Sequence, residues 1–351
     1  MTSIAETLNP GRMLSDGIPY GDLEAARAAL DRGDDWFELW SAKGDAYERL
    51  GEGAVADGHR VSGGQWLWQA SLSVHYAQFM WFHDARRREA GQRRKVDLYR
   101  RAAPHLRPAA ERVEIAFEGV TIPGYLRLPE TAGDGPFPCA VLIGGLESTK
   151  EESLLFENLC LARGLATFAF DGPGQGELFF DVKLGPGFER YASAVVDHLV
   201  ARPEIDASRL GVLGRSLGGH YAPRAAAADG RFRVAVAWGA CFDLSDFDTM
   251  PEHTRRGFLY ASGIDDVDEG RAHLQRSLDL SGLAAGMRAP LYVLHGRHDA
   301  IFSMAQVDRF REAFAHVPLV VDVEEDGDHC CHNMGQIVRP RMADWLADHL
   351  G

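Results

Sequence analysis

The stretch GVLGRSLGGHYAP, residues 211–223, places one serine between glycines, directly after a short apolar run and directly before an alanine-rich helical run. Its centre, GRSLG at 214–218, matches the pattern G-x-S-x-G around Ser216. Glycines are needed two residues on either side of the serine, because side chains there would collide with neighbouring backbone in a sharp strand-to-helix turn. The stretch therefore predicts a nucleophilic serine, which requires a base, an orienting acid and an oxyanion site elsewhere in the chain.

Around this stretch, strand-like runs alternate with amphipathic helical runs from residue 109 to the end of the chain. The region begins with ERVEIAFEGVTIPGYLRLPE, which predicts an antiparallel pair of strands leading into the sheet. The alternation that follows is typical of a mostly parallel, doubly wound sheet, so we expect an α/β catalytic domain over residues 109–351. A polar, helical stretch at about 244–289 breaks the alternation and predicts a cap insertion over the carboxyl-terminal edge of the sheet.

The first part of the chain, residues 1–108, has helical periodicity, many charges and no convincing strand pattern. It predicts a helical region that caps the catalytic domain or binds substrate. One helix in it is apolar nearly all round, as expected of a helix buried on more than one side. Its aromatic side chains predict core packing in most cases, and His75, Tyr76, Phe79 and His83 are also candidate substrate contacts.

The base and the acid can be placed from chain order. A serine hydroxyl is a weak nucleophile at neutral pH and needs a general base. In sheets of this type the partners follow in the order Ser, Asp or Glu, His. Asp299 follows one strand-like run and His329 follows the next, so both are expected at the same sheet edge as Ser216. His332 is an alternative base, and Asp243 is an alternative acid.

An oxyanion site needs two backbone N–H groups that point at one position. One is expected from Leu217, directly after the serine. The other is expected from Leu146, in the loop after the first parallel strand, where Gly144 and Gly145 permit close approach of the backbone. A glycine pair is also compatible with a tight strand–helix connection that has no catalytic role.

Two further motifs resemble binding sites of other kinds. DGPGQGE, residues 171–177, is rich in glycine after a strand, but its spacing is not that of a dinucleotide-binding loop, so it predicts a structural turn. HCCH, residues 329–332, contains metal-ligand types, but four contiguous residues cannot surround a tetrahedral ion. We therefore predict no metal and no cofactor.

Composition narrows the class of protein. The chain has 351 residues and a net charge of −14, which disfavours binding to nucleic acid or to anionic membranes. The first residues lack the pattern of a signal peptide, and no apolar run is long enough to span a bilayer. Five cysteines without a pattern fit a reducing compartment. We expect a cytoplasmic enzyme with a small-molecule substrate, and a homodimer is a common state for such folds.

Five motifs occur in one order: IGGLESTKEE, DGPGQGE, GRSLGGHYA, LHGRHD and DGDHCCHN. Together they resemble the α/β-hydrolase superfamily over residues 110–351, and within it the 2,6-dihydroxypseudooxynicotine hydrolase group. Fungal polyketide-shortening hydrolases and FrsA-like esterases look like more distant relatives. The resemblance implies a helical N-terminal region, an α/β-hydrolase fold and cleavage of carbon–carbon bonds next to a carbonyl. It also implies an acidic cap residue near the substrate, for which Asp248 and Glu252 are the candidates.

The residues and the resemblance lead to one expected function and two alternatives. We expect a serine hydrolase that cleaves a C–C bond next to the carbonyl of an aromatic or polyketide-like ketone or β-diketone. The same machinery would also serve a carboxylesterase or thioesterase with a bulky acyl substrate. A third possibility, of a different class, is a ligand-binding or isomerising protein on the same scaffold.

Overall fold

The computed structural model describes residues 9–79, 82, 84–130 and 135–351, and within them the chain forms two compact units. One unit is Met1–Arg112 and the other is Val113–Gly351. The N-terminal unit is helical, as predicted. Its helices are α1 Pro10–Asp16, α2 Tyr20–Asp31, α3 Trp36–Ala56, α4 Arg60–Gln78 and α5 Ala85–Ala102.

Helix α4 is the central helix of the N-terminal unit and is buried along most of its length. Glycines of α3 let the two helices approach closely: a Cβ atom on Gly44 would lie 2.8 Å from Val74 Cγ2, and one on Gly51 would lie 2.7 Å from Leu67 Cγ. Helix α5 also packs on α4, where the hydroxyl of Ser71 donates to a backbone carbonyl of α5 at 2.9 Å. The apolar, all-round pattern of α4 follows from this position between two neighbours.

The second unit is built on one sheet of eight strands in the described residues, in the order β1-β2-β4-β3-β5-β6-β7-β8. The strands are β1 Glu111–Phe117, β2 Val120–Arg127, β3 Phe137–Ile143, β4 Ala166–Phe170, β5 Ile205–Arg215, β6 Phe232–Trp238, β7 Leu291–Gly296 and β8 Leu319–Glu324. Strands β3 to β8 pair in parallel, and β2 pairs with β4 antiparallel. The predicted fold class, a mostly parallel α/β sheet, is therefore confirmed.

Both faces of this sheet are covered, which explains why its central strands read as continuous apolar runs. Successive residues of β5 point to opposite sides: Val212 packs in one hydrophobic cluster and Leu213 in the other. The helices of this unit are α6 Leu154–Leu161, α7 Phe188–Val200, α8 Leu217–Ala228, α9 Glu252–Ser262, α10 Val267–Ser277, α11 Met304–Ala313 and α12 Gly335–Leu350. No helix in the described part of the chain has the length and apolar character needed to cross a membrane.

The segment between β6 and β7, where the sequence predicts a helical insertion, contains α9 and α10. Phe258 of α9 and Leu274 of α10 are buried in the same hydrophobic cluster as the inner strands. The insertion also contacts the loop before α7, where Leu184 donates its N–H to the carbonyl of Ala261 at 2.8 Å. The insertion is thus packed into the core of the second unit.

Candidate active site

Ser216 lies in the sharp turn between β5 and α8. Its φ is 58° and its ψ is −117°, a conformation that residues other than glycine rarely adopt. The flanking glycines are sterically required: a Cβ on Gly214 would lie 1.8 Å from the carbonyl oxygen of Gly218, and a Cβ on Gly218 would lie 2.2 Å from the oxygen of Ile143. The turn predicted from GRSLG is therefore present, and it leaves Ser216 partly exposed.

Ser216, His329 and Asp299 form a continuous hydrogen-bonded series at the carboxyl ends of β5, β8 and β7. Nε2 of His329 lies 2.9 Å from Oγ of Ser216, and its Nδ1 lies 2.8 Å from Oδ2 of Asp299. The other carboxylate oxygen of Asp299 accepts the N–H groups of Ile301 and Phe302 at 2.8 and 2.9 Å. Activation of a serine by a histidine that an acid orients requires this order and distances of this kind.

The electrostatics of the His329–Asp299 pair favour a charged imidazole opposite a charged carboxylate. Burial is the largest single influence and would lower the pKa of His329, but the charge and hydrogen bond of Asp299, together with Cys330, raise that pKa well above 6.5. Burial would likewise raise the pKa of Asp299, but the charge and hydrogen bond of His329 lower it. Because the Asp299 side chain is only 1% exposed, water screens the pair weakly.

The alternative base and acid have other partners. The ring of His332 is buried against Trp238, with ring centroids 5.8 Å apart. Asp243 forms an ion pair with Arg309. His329 contacts Ser216, and Asp299 contacts His329.

Trp238, the last residue of β6, contacts both the serine turn and the histidine loop. Its carbonyl oxygen accepts the N–H of Ser216 at 2.8 Å, and its indole Nε1 donates to the carbonyl of Cys330 at 2.5 Å. The thiol of Cys330 lies 3.7 Å from the same Trp238 carbonyl and 3.4 Å from Nε2 of His329. Cys330 and Cys331 both have positive φ, 59° and 48°. The contacts of Trp238 were not predicted from the sequence, because a tryptophan at the end of a buried strand is usually a residue of the hydrophobic core.

The Gly144–Gly145 loop lies directly against the serine turn. A Cβ on Gly145 would be 3.2 Å from Cβ of Ser216. Leu146 follows in this loop, and Leu217 begins α8, where a backbone N–H has no acceptor within the helix. These two N–H groups are therefore the candidates for an oxyanion site.

The turn DGPGQGE holds the Gly144–Gly145 loop in place. The side-chain amide of Gln175 donates to the carbonyls of Gly144 and Gly145 at 2.6 and 2.9 Å. Asp171 accepts the backbone N–H of Lys150 at 2.9 Å and its ammonium at 2.7 Å. The prediction of a structural turn named no partner for it; the structure shows the turn bonded to the loop beside Ser216.

Three carboxylates, from Glu151, Asp171 and Glu177, come within 4.8 Å of one another, close enough to hold a metal ion. The ammonium of Lys150 lies among them, 2.6 Å from Glu151, 2.7 Å from Asp171 and 2.5 Å from Glu177. A cation is thus already supplied by the chain, and a metal would have to displace it. The donor set fits an internal ion-pair cluster better than a metal site.

The acidic candidates in the insertion are at the surface. The side chain of Asp248 is 66% exposed and accepts from Arg271 at 2.9 and 3.1 Å. The side chain of Glu252 is 65% exposed and lies 3.9 Å from Arg256. Their closest partners in the structure are therefore surface arginines.

The aromatic candidates belong to the N-terminal unit. Tyr76 is buried and donates to Asp16 at 3.1 Å, and the rings of His75 and Phe79 pack against it. The guanidinium of Arg12 lies 4.4 Å from the centre of the Phe79 ring. His83 lies outside the described residues. These contacts establish a packed cluster within the unit.

The strand order, the serine turn after β5, and the Asp and His loops after β7 and β8 together define an α/β hydrolase. Residues 28–256 match the family described as "Esterase FrsA-like", and residues 189–351 match the prolyl oligopeptidase family. Because the first match covers more than half of the chain, the chain belongs to the FrsA-like family of α/β hydrolases.

Similar individual proteins point to the same class. The chain is 45% identical to a 2,6-dihydropseudooxynicotine hydrolase of Paenarthrobacter nicotinovorans, over 98% of this chain and 92% of the relative. A crystal structure of 2,6-dihydroxy-pseudo-oxynicotine hydrolase is 44% identical with a TM-score of 0.93, covering 97% of this chain and 96% of that one. The hydrolase acrC of Aspergillus aculeatus is 32% identical, over 69% of this chain and 60% of the relative. The chain is a hydrolase.

Proposed function

We propose that this hydrolase acts through a catalytic triad of Ser216, His329 and Asp299, and that it cleaves a carbon–carbon bond next to a carbonyl group. The substrate class is an aromatic or polyketide-like ketone or β-diketone. The observation that carries the proposal is the hydrogen-bonded series from Ser216 through His329 to Asp299, with both contacts below 3 Å. No other base is needed to activate the serine.

In the first half of the reaction, Nε2 of His329 takes the hydroxyl proton while Oγ of Ser216 bonds to the carbonyl carbon. The carbonyl oxygen becomes negative and accepts the N–H groups of Leu146 and Leu217. Asp299 holds the imidazole in the required orientation and stabilises its positive charge. These roles account for each hydrogen bond of the series.

In the second half, the oxyanion collapses and the C–C bond breaks. The departing carbon keeps the electron pair, which is feasible when it forms a stabilised enolate or a phenolic carbanion equivalent. It takes the proton that His329 received from Ser216, either directly or through an acid of the cap that His329 then reprotonates, and the acyl group remains on Ser216. Water, deprotonated by His329, then releases the acyl group as a carboxylic acid and restores the serine.

The choice of substrate class is supported by the nearly full-length match to a hydrolase whose name specifies 2,6-dihydropseudooxynicotine. A related aryl ketone is therefore the first substrate type to test. For contacts to the substrate we keep the predictions from the sequence, which are His75, Tyr76, Phe79, His83, Asp248 and Glu252.

A second candidate is hydrolysis of a carboxylic ester or thioester. The match of residues 28–256 to a family described as an esterase favours it, and the first half of the reaction is unchanged. The two candidates differ in the leaving group, which is an alkoxide or thiolate in one case and a carbanion equivalent in the other.

A fluorophosphonate probe tests the triad directly, because it reacts covalently with an activated serine. We expect it to label the wild type and to fail on Ser216→Ala, while Ser208→Ala, a change at an exposed serine, is labelled like the wild type. An unlabelled wild type would contradict both hydrolytic candidates and favour a non-hydrolytic protein. Turnover of aryl β-diketones, compared with p-nitrophenyl esters, then separates C–C from ester cleavage.

The predictions of the oligomeric state and of the location in the cell are also kept as proposals. A homodimer is testable by sedimentation velocity of the purified chain. A cytoplasmic location is testable by fractionation of the source cells.

A further inference from the structure

We propose that Gln175 is a positioning residue for the oxyanion site, because it fixes the orientation of the peptide that carries the Leu146 N–H. The inference rests on the proposed function, since it takes Leu146 as an oxyanion donor. It assigns a role in the reaction to the DGPGQGE turn.

The side chain of Gln175 is fully used by hydrogen bonds and is 1% exposed. Its Nε2 donates to the carbonyl of Gly144 at 2.6 Å and to that of Gly145 at 2.9 Å. Its Oε1 accepts the N–H of Gly172 at 3.1 Å. The amide is therefore held at both ends, with one donor for each of two consecutive carbonyls.

The second of these carbonyls, that of Gly145, determines the direction of the oxyanion donor. The carbonyl of Gly145 and the N–H of Leu146 belong to one planar trans peptide, in which they point in opposite directions. A hydrogen bond from Gln175 to the Gly145 oxygen therefore directs the Leu146 N–H away from Gln175. The loop borders the serine, since a Cβ on Gly145 would lie 3.2 Å from Cβ of Ser216.

The same bond strengthens the donor as well as orienting it. A peptide whose carbonyl accepts a hydrogen bond is polarised, and its N–H becomes a better donor. The gain is largest when the carbonyl oxygen of the substrate becomes negative, which is in the transition state and not in the bound substrate. Loss of Gln175 should therefore lower kcat more than it raises KM.

The turn that carries Gln175 is itself fixed to the loop at a second point. Asp171 accepts the N–H of Lys150 at 2.9 Å and that of Glu177 at 3.0 Å. Gly176 is required beside it, because a Cβ there would lie 2.0 Å from Oδ2 of Asp171. Gln175 thus projects from a rigid support, as a positioning residue must.

The test compares Gln175→Met, which keeps the volume but has no amide, and Gln175→Ala with the wild type. We expect kcat on the accepted ester or β-diketone to fall about 10- to 100-fold, below the loss for removal of a whole donor, with KM within about twofold. The Kd of an aryl boronic acid, which forms a tetrahedral adduct on Ser216, should rise by the same factor as the loss in kcat. Fluorophosphonate should still label Ser216 to completion.

Thr167→Val is the matched control. It removes a buried hydroxyl in β4 that donates to Glu157 at 3.2 Å, on the strand that leads into the same turn. We expect a lower Tm with kcat and boronate affinity unchanged. Wild-type kcat and boronate affinity in Gln175→Met, whatever its Tm, would overturn the inference. A wild type that neither labels nor turns over any substrate would instead overturn the proposed function.

Discussion

In the N-terminal unit, the charged residues that join α3 and α5 lie at the surface in a regular series. Three arginines of α5 are spaced seven residues apart, about two helical turns, so they lie on one face. These are Arg87, Arg94 and Arg101, and their partners on α3 include Glu38, Asp45 and Glu52, which are also seven apart. All of these side chains are at least a third exposed.

In the second unit, the loop beside the serine buries its charges. The side chain of Lys150 has no exposed surface, and three carboxylates surround its ammonium. Ser148 and Glu152, two residues on either side of Lys150, accept from Arg215 of the serine turn at 2.8 and 2.7 Å, and all three are largely buried. Burial makes each of these partners necessary, since an unpaired charge inside a protein is very costly.

The comparison shows that the same residue types serve different purposes in the two units. Exposed pairs between helices contribute little each and are weakened by salt. Buried pairs contribute little net stability over apolar packing, but the loss of one partner is severe. We therefore expect the exposed pairs between α3 and α5 to tolerate single changes, and the buried charges beside Ser216 not to tolerate them.

The largest effect is expected for Lys150→Met. The variant removes the ammonium from the buried carboxylates of Glu151 and Asp171 and from the partly exposed carboxylate of Glu177, so the free energy of unfolding should fall by about 3–5 kcal/mol. Urea unfolding followed by circular dichroism measures this loss. Lys183→Met, at a partly exposed lysine above the ring of Phe179, is the control and should lose less than about 1 kcal/mol. Equal, small losses in both variants would contradict the distinction between the two regions.

An intermediate effect is expected from pH, acting on the buried His329–Asp299 pair. Protonated His329 cannot accept the proton of Ser216, so kcat/KM should fall about tenfold per pH unit below the pKa of His329. Because Asp299 raises that pKa, the acid limb should lie above pH 6.5. In Asp299→Asn the limb should move to lower pH. An acid limb of the wild-type kcat/KM profile that lies below pH 6.5 would show that His329 and Asp299 do not carry the expected charges.

The smallest effect is expected for Arg94→Ala, which removes pairs to Asp45 and Glu48 at a side chain that is 34% exposed. The free energy of unfolding should fall by about 0.2–1 kcal/mol at low salt. In 1 M NaCl, where the Debye length is about 3 Å, most of that loss should disappear. Arg93→Ala, which removes a pair to Glu89 within α5, is the control. A loss of more than about 2 kcal/mol in the free energy of unfolding would show that this exposed pair behaves like the buried pairs around Lys150.

The positions of Ser216, Asp299 and His329 could be predicted because they depend on local pattern and chain order. Each follows a short apolar run, and the carboxyl ends of parallel strands meet at one sheet edge. The glycines at 214 and 218 added a steric requirement that few other turns share. The fold class was predictable for the same reason, since the hydrophobic periodicity of the sequence indicates the alternation of strands and helices.

The supporting contacts could not be predicted, because they depend on which polar groups become buried together. The run ESTKEE is entirely polar, and nothing in its pattern shows that Lys150 and both following glutamates are buried. Gln175 occupies a turn whose glycines explain its shape without reference to the Gly144–Gly145 loop. In hindsight the only signal was a glutamine between glycines directly after a buried strand, at the sheet edge where the catalytic loops lie.

The carbonyl of Trp238 has a mechanical consequence. It accepts the N–H of Ser216, and Trp238 also bonds the backbone of Cys330, next to His329. Ser216 and the loop that carries His329 are therefore both hydrogen-bonded to one residue at the end of β6. We therefore expect a small displacement of the end of β6 to move Ser216 and the His329 loop together and to preserve the distance between them.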